Sequence, residues 1–246
     1  MNPHCLIPAW NAPVAVRALV TTRSGGHSAT PYAGLNLATH VGDDPLAVAA
    51  NRRSLRLGSR PLPADPLWLE QVHGTRVVAA ESYREPAVAD ACIARTPGLV
   101  CAVLSADCLP LLLCAEDASA VAAVHAGWRG LSAGVIEACV AAMGTPPARL
   151  LAWLGPAIGP QAYEVGDEVR EVFCRQDAAA ALAFVPRQPG KWWCDLYLLA
   201  RQRLAALGVQ RVSGGEYCTY SDAARFYSYR RDGVTGRMAS CIWLEA

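Results

Sequence analysis

Two apolar runs dominate the middle of the chain, residues 99–104 and 120–124, each short and aliphatic enough to read as a buried strand. Alternating apolar and polar positions over residues 14–21 predict a strand that leads into a polar, Gly-bearing loop over residues 22–34. Asp44-Pro45 reads as a helix start, with Asp as N-cap, and the helix runs to about Leu57, where Gly58 and Pro61 stop it. Short strands are expected at 67–72 and 76–80, joined through His73-Gly74-Thr75, and residues 82–89 read as an exposed connection. Leu131, Val135, Cys139 and Met143 recur at helical spacing and predict one amphipathic helix from near Trp128 to Gly144. A buried strand at 150–154 precedes the irregular Gly/Pro segment 155–160. Residues 165–174 and 178–183 look helical. Asp195 caps a helix with Leu196, Leu199, Leu204 and Leu207 on its core face, and Gly208 ends it. Strands at 226–230 and 239–244 flank the turn Arg231-Asp232-Gly233. No repeat or linker interrupts this irregular alternation, so the pattern favours a single domain of the α+β or mixed-sheet α/β class.

Composition narrows the setting. The 246 residues are 53% hydrophobic with a mean hydropathy of +0.19, which predicts a substantial core. The apolar runs nevertheless fall short of the roughly 20 residues that cross a bilayer, so no membrane partner is expected. The first ten residues carry no basic stretch followed by an apolar segment, so no secretory signal is read. A net charge of +1 weighs against a general nucleic-acid binder, which shows a strongly basic face. Ten cysteines are scattered without any CxxC pair, the usage of a reduced, cytoplasmic protein.

The chemistry-bearing residues sit at the ends of the apolar runs. Cys108 lies just past the first, His125 closes the second, and His73 closes the short run 68–73. Three strand ends delivering His, Cys and His match the three protein ligands of a catalytic zinc site, which leaves a fourth position for water or substrate. The same residues permit another chemistry, with Cys108 as thiolate nucleophile and His125 as its base. Asp107 either orients a partner in that scheme or caps a turn. Arginines stand near glycine at Arg23, Arg129, Arg230, Arg231 and Arg237, and guanidinium forks with Gly-turn amides make anion sites. Neither GxxxxGK[ST] nor GxGxxG is present, so no nucleotide loop of those classes is read. Trp128, Tyr163 and Phe226 can stack on a purine or pack in a core.

At these residues the sequence acquires relatives. Thr22-Arg-Ser-Gly-Gly26, Leu35-Asn36-Leu37, Gln71-Val-His73-Gly74, Ala106-Asp-Cys108-Leu-Pro110, Val124-His125-Ala-Gly-Trp-Arg-Gly130, Gly155-Pro-Ala-Ile-Gly-Pro160 and Phe226-Tyr-Ser-Tyr-Arg-Arg-Asp-Gly233 follow in order across nearly the whole chain. Together they resemble the YfiH family, also called the purine nucleoside phosphorylase or polyphenol-oxidase (laccase-domain) family. The resemblance implies an α+β, four-layer α/β/β/α domain with mixed sheets, similar to the catalytic domain of cytotoxic necrotizing factor. It implies Zn2+ bound by His73, Cys108 and His125, with Cu2+ as the other metal suited to that set. It implies phosphorolysis of adenosine, inosine and methylthioadenosine, and deamination of adenosine. Some bacterial members are described as peptidoglycan-editing factors, which fits the Cys/His hydrolase reading. The partners so implied are a purine nucleoside and phosphate, with Arg23 and Arg231 the leading phosphate contacts and Arg129 and Asn36 further substrate contacts. A multicopper oxidase needs clustered His-x-His pairs. Five unpaired histidines cannot build one, so polyphenol oxidation is expected only as a side reaction.

Overall fold

The computed structural model describes residues 5–58 and 60–245, and two β-sheets stacked face to face organise it. Residues 1–4, part of the stretch read for a secretory signal, lie outside the described residues. In chain order the strands are β1 (Cys5–Leu6), β2 (Val16–Thr21), β3 (Leu69–Glu70), β4 (Val77–Ala79), β5 (Ala87–Val88), β6 (Ala91–Ala94), β7 (Cys101–Ser105), β8 (Leu109–Ala115), β9 (Val121–Ala126), β10 (Leu150–Leu154), β11 (Glu164–Gly166), β12 (Phe184–Gln188), β13 (Lys191–Cys194), β14 (Arg211–Gly214) and β15 (Met238–Leu244). The helices are α1 (Pro45–Leu57), α2 (Trp128–Ala133), α3 (Val135–Met143), α4 (Asp167–Gln176), α5 (Leu196–Leu207) and the single turn α6 (Tyr229–Asp232).

One sheet has the order β1-β2-β15-β7 and the other β14-β10-β8-β9-β6-β4, with parallel and antiparallel pairings mixed in the second. Their facing sides share one apolar cluster that includes Val20, Val103, Leu112, Ala123, Trp153 and Ile242. α3 and α5 cover the outer face of the six-stranded sheet, and Leu55 of α1 packs on the outer face of the other. The layers therefore run helix, sheet, sheet, helix, which is the expected mixed α/β architecture. Central strands buried on both sides carry no alternation, and every residue of β7, β8 and β9 is buried.

Several elements depart from the sequence pattern. β8 is not among the expected strands, and it contains Pro110, although proline usually marks an edge strand. Here Pro110 pairs in register with His125 inside the sheet. The predicted exposed connection at 82–89 contains β5 and ends on buried Ala89. β6, β14 and the β12–β13 hairpin were also missed, and residues 164–166 form a strand before α4 rather than part of it. Residues 178–183 form a 3-10 helix. Residues 226–230 are no strand: Phe226 and Tyr227 are buried in irregular chain, and α6 follows, capped by Ser228. The predicted single helix from Trp128 is two, α2 and α3. Gly134 adopts φ +99 between them, and its N–H closes α2 on the carbonyls of Gly130 and Leu131. All four residues that carried the helical spacing are buried.

The break follows from backbone conformation, because L side chains in the left-handed region cost about 1–2 kcal/mol. Gly134→Ala is expected to lower stability by about that amount. Urea unfolding should show a lower midpoint at constant m-value; an unchanged midpoint would show that glycine is not required there.

Candidate metal centre

A turn, a loop between the two sheets and the end of a strand bring three donor side chains together. The turn after β3 carries His73 at φ +60, and two side chains hold that turn in place. Gln71 exchanges hydrogen bonds with the backbone of Leu104 in β7, its Nε2 donating at 2.8 Å and its Oε1 accepting at 2.7 Å. Asp90, wholly buried just before β6, accepts the backbone N–H groups of Val72, His73 and Gly74 at 3.2, 2.9 and 2.6 Å.

The same carboxylate holds the second histidine. His125, the penultimate residue of β9, places Nδ1 2.9 Å from Asp90 Oδ1, and its backbone N–H donates to the Asp90 carbonyl at 2.7 Å. A carboxylate on Nδ1 fixes the ring and leaves Nε2 to face the site. Cys108 stands immediately before β8, where the chain crosses from one sheet to the other. Asp107 before it takes φ +93, and its carboxylate accepts the Thr219 hydroxyl at 2.6 Å and the Arg230 backbone N–H at 2.7 Å. Its role is to clamp the Cys108 loop to the C-terminal loops. Of the three expected strand ends, His125 is one residue from the end of β9 and Cys108 lies between β7 and β8, while His73 sits in the turn beyond the short β3.

The donor atoms of His73, Cys108 and His125 all lie within 4.8 Å of one another, the one such group of three or more among the described residues. Cys108 Sγ is 3.8 Å from His73 Nε2, and the two imidazole centroids are 4.8 Å apart. A thiolate and two imidazoles are a donor set that suits zinc or copper. Gly127 leaves room for them, since a Cβ there would lie 2.8 Å from Cys108 Sγ and 3.0 Å from His73 Cδ2.

Electrostatics favour the ligating form of the sulfur. Burial alone would push the Cys108 thiol up, but the charge of His125 and hydrogen bonds from both histidines bring it down to about 6. Burial opposes protonation of His125, yet the Cys108 thiolate and Asp90 outweigh it and raise this imidazole to about 9. Burial likewise opposes ionisation of Asp90, and the hydrogen bonds from His125 and the turn amides hold it below the ordinary carboxylate value.

The three donors line a cavity of about 550 Å³, within the range of small-molecule sites. Arg129, Arg230 and Arg237 line it too, with Trp128, Tyr163 and Tyr229. The other anticipated substrate contacts are not on its walls. Arg231 donates to the carbonyls of Thr219, Tyr220 and Phe226 and to both Asp232 oxygens, so its guanidinium ties the C-terminal loops together. Arg23 donates to the Ala223 carbonyl and stacks 4.9 Å from the Tyr227 ring centroid. Asn36 is fully buried and bonds Ala38, Asp43 and the backbone N–H of Arg237. Phe226 is a core residue. Asp90 was not anticipated, although a lone carboxylate within the apolar stretch 87–94 was the visible signal.

The family described as multi-copper polyphenol oxidoreductase laccase matches residues 17–245. A Pseudomonas aeruginosa protein named purine nucleoside phosphorylase is 55% identical over 241 residues, covering 98% of each chain. Purine nucleoside phosphorylase YfiH of Escherichia coli is 52% identical, covering 97% of this chain and 98% of its own. The chain belongs to the YfiH family. A solved member-like structure, protein NMB0706 of Neisseria meningitidis, superposes with a TM-score of 0.94 at 48% identity, covering 99% of this chain and 100% of that one. The family's copper-oxidase description meets a single His/Cys/His group among the described residues.

Two outcomes test this geometry. Asp90→Asn should weaken metal binding about 10- to 100-fold in a chelator competition, the usual cost of losing a ligand's orienting partner; unchanged affinity would remove that role. In metal-stripped protein, Cys108 should be alkylated by iodoacetamide with a midpoint near pH 6, because its thiolate persists down to that value. His125→Ala should move the midpoint upward, and a wild-type midpoint at the ordinary thiol value would contradict the thiolate–imidazole pair.

Proposed function

We propose that this chain is a zinc-dependent purine nucleoside phosphorylase, acting on adenosine, inosine and methylthioadenosine, that also deaminates adenosine. One observation carries the reading: a His/Cys/His donor set shares a cavity of about 550 Å³ with three arginines and three aromatic rings. The relatives at 55% and 52% identity are named purine nucleoside phosphorylase, which supports the phosphorylase part of the reading. The chain acts as one domain, and its ten unpaired cysteines fit the reducing cytoplasm. No helix among the described residues is long and apolar enough to cross a membrane.

Phosphorolysis requires a held phosphate, support for positive charge on the ribose and a proton for the departing base. Arg129, Arg230 and Arg237 replace Arg23 and Arg231 as the phosphate contacts, because they face the cavity. Trp128, Tyr163 and Tyr229 flank the base, while Leu104, Ile158 and Leu196 exclude water. Asp90 keeps the His125 ring fixed, and Gly127 keeps the sulfur accessible. When bound, zinc would supply Lewis acidity toward an oxygen of substrate or water, which serves both reactions. Copper held in the same donor set would supply redox chemistry toward a polyphenol as a side reaction.

A second reading draws on a specific feature. Cys108, His125 and Asp90 reproduce the order nucleophile, base and orienter, and the thiol is pushed down to about 6. An amide hydrolase that edits a peptidoglycan precursor would use that arrangement without phosphate.

Product analysis separates the two. With adenosine, the phosphorylase yields ribose 1-phosphate only when phosphate is present, and inosine reports the deaminase. His125→Ala should lose bound zinc and turnover together, and Cys108→Ser should stay inactive with zinc in excess. Full metal content and rate in either variant, or products independent of phosphate, would sink the phosphorylase assignment.

A further inference from the structure

One corner of the cavity gathers two basic side chains, neither of which makes an ion pair among the described residues. His40 and Arg237 both line it. Arg237 is half-buried and makes no ion pair among the described residues, the Cys108 thiolate and the Asp107 carboxylate acting on it only at longer range. Its Nη1 donates to the carbonyls of Thr235 and Gly236 at 2.8 and 3.0 Å, and the guanidinium lies 5.8 Å from the Tyr229 ring centroid. The backbone there is fixed from both sides. Arg237 N–H donates to Asn36 Oδ1 at 2.9 Å, and its carbonyl accepts from Leu37 N–H at 3.3 Å. His40 comes from that same loop, and its ring has no hydrogen-bond partner among the described residues.

The groups acting on His40 are Arg237, Arg52 of α1 and Glu70 of β3. Arg52 makes no ion pair among the described residues; it stacks 4.2 Å from the Trp68 ring centroid and donates Nε to the Leu37 carbonyl, with Glu85 acting on it at longer range. Burial and the two guanidiniums hold the His40 imidazole below its ordinary value, with Glu70 pulling the other way. Partly desolvated cations without partners are costly, and an anion is what relieves them. A dianion at this corner would reverse the local field, return the proton to His40 and turn it into a second charge-assisted donor beside Arg237.

We infer that His40 and Arg237 form the subsite for a tetrahedral phosphate dianion, taken as inorganic phosphate on the phosphorylase reading above. A nucleotide's phosphate ester presents the same chemistry, and the test distinguishes the two sources. The full-length protein, with its metal content measured, is titrated calorimetrically with inorganic phosphate, adenosine and adenosine 5′-monophosphate. Arg237→Gln and His40→Gln should each weaken phosphate binding by about 10-fold or more, the range for losing one charge-assisted hydrogen bond. Metal content, adenosine affinity and the unfolding midpoint should stay as in the wild type. His40→Gln guards against misfolding, because this exposed side chain makes no internal hydrogen bond, and Arg237→Lys keeps the charge while losing the fork.

Phosphate affinity unchanged in both His40→Gln and Arg237→Lys would overturn the assignment. So would a wild-type protein that binds adenosine 5′-monophosphate and ignores inorganic phosphate. Loss of phosphate binding in the variants, with no ribose 1-phosphate from the wild type, would uphold the subsite and remove the phosphorylase reading.

Discussion

A single carboxylate holds this site together. Asp90 is fully buried, an expensive place for a charge, and it accepts three turn amides and the His125 imidazole in return. Removing it would leave those donors unmatched, each at a cost of about 1–3 kcal/mol. It would also release the turn that holds His73 at positive φ. Because hydrogen bonding overcomes burial and lowers its pKa, folding favours the ionised form. That stability is present above the ordinary carboxylate value and is lost as pH falls through the depressed one. One interaction therefore sets the shape of a loop, the orientation of a ligand ring and part of the acid stability.

The two-sheet core supplies what Asp90 cannot. Cys108 lies where the chain leaves one sheet for the other, and the antiparallel register that pairs Pro110 with His125 fixes the sulfur relative to the second imidazole. Asp107 secures the opposite side by accepting from Thr219 and Arg230, which joins the sulfur's loop to a cavity wall. Displacement of either sheet would thus separate the His/Cys/His group and open its pocket together. A packed interior resists small displacements, so the donor set is preorganised by ordinary apolar burial.

The His73, Cys108 and His125 cluster was legible in the sequence because His125 closes an apolar run that becomes β9 and Cys108 follows the one that becomes β7. The capped helices α1 and α5 were equally legible, since Asp44, Asp195 and Gly208 act through local hydrogen bonds and backbone conformation. What escaped depends on partners far along the chain. β8 has no alternation and contains a proline, so its central position follows only from the sheets around it. Asp90 is meaningful only once four donors from two other segments surround it. Phe226 and Tyr227 look like strand residues, yet their burial in irregular chain is set by tertiary contacts.

The arginines show most clearly where sequence reasoning stops. Arg231 and Arg237 are near neighbours in one glycine-bearing tail, and nothing local distinguishes them. A guanidinium has five N–H donors, and Arg231 makes five hydrogen bonds within the protein, leaving none for a ligand. Arg237 spends its Nη1 on two carbonyls and retains the rest of its fork beside the cavity. Among the described residues, the Arg129 guanidinium has only the face of Trp128, 4.6 Å from its centroid, as partner. Spare hydrogen-bonding capacity next to a cavity is what separates a ligand contact from a structural staple. That capacity depends on which carbonyls the fold has already brought within reach, so the same residue type serves opposite ends six positions apart.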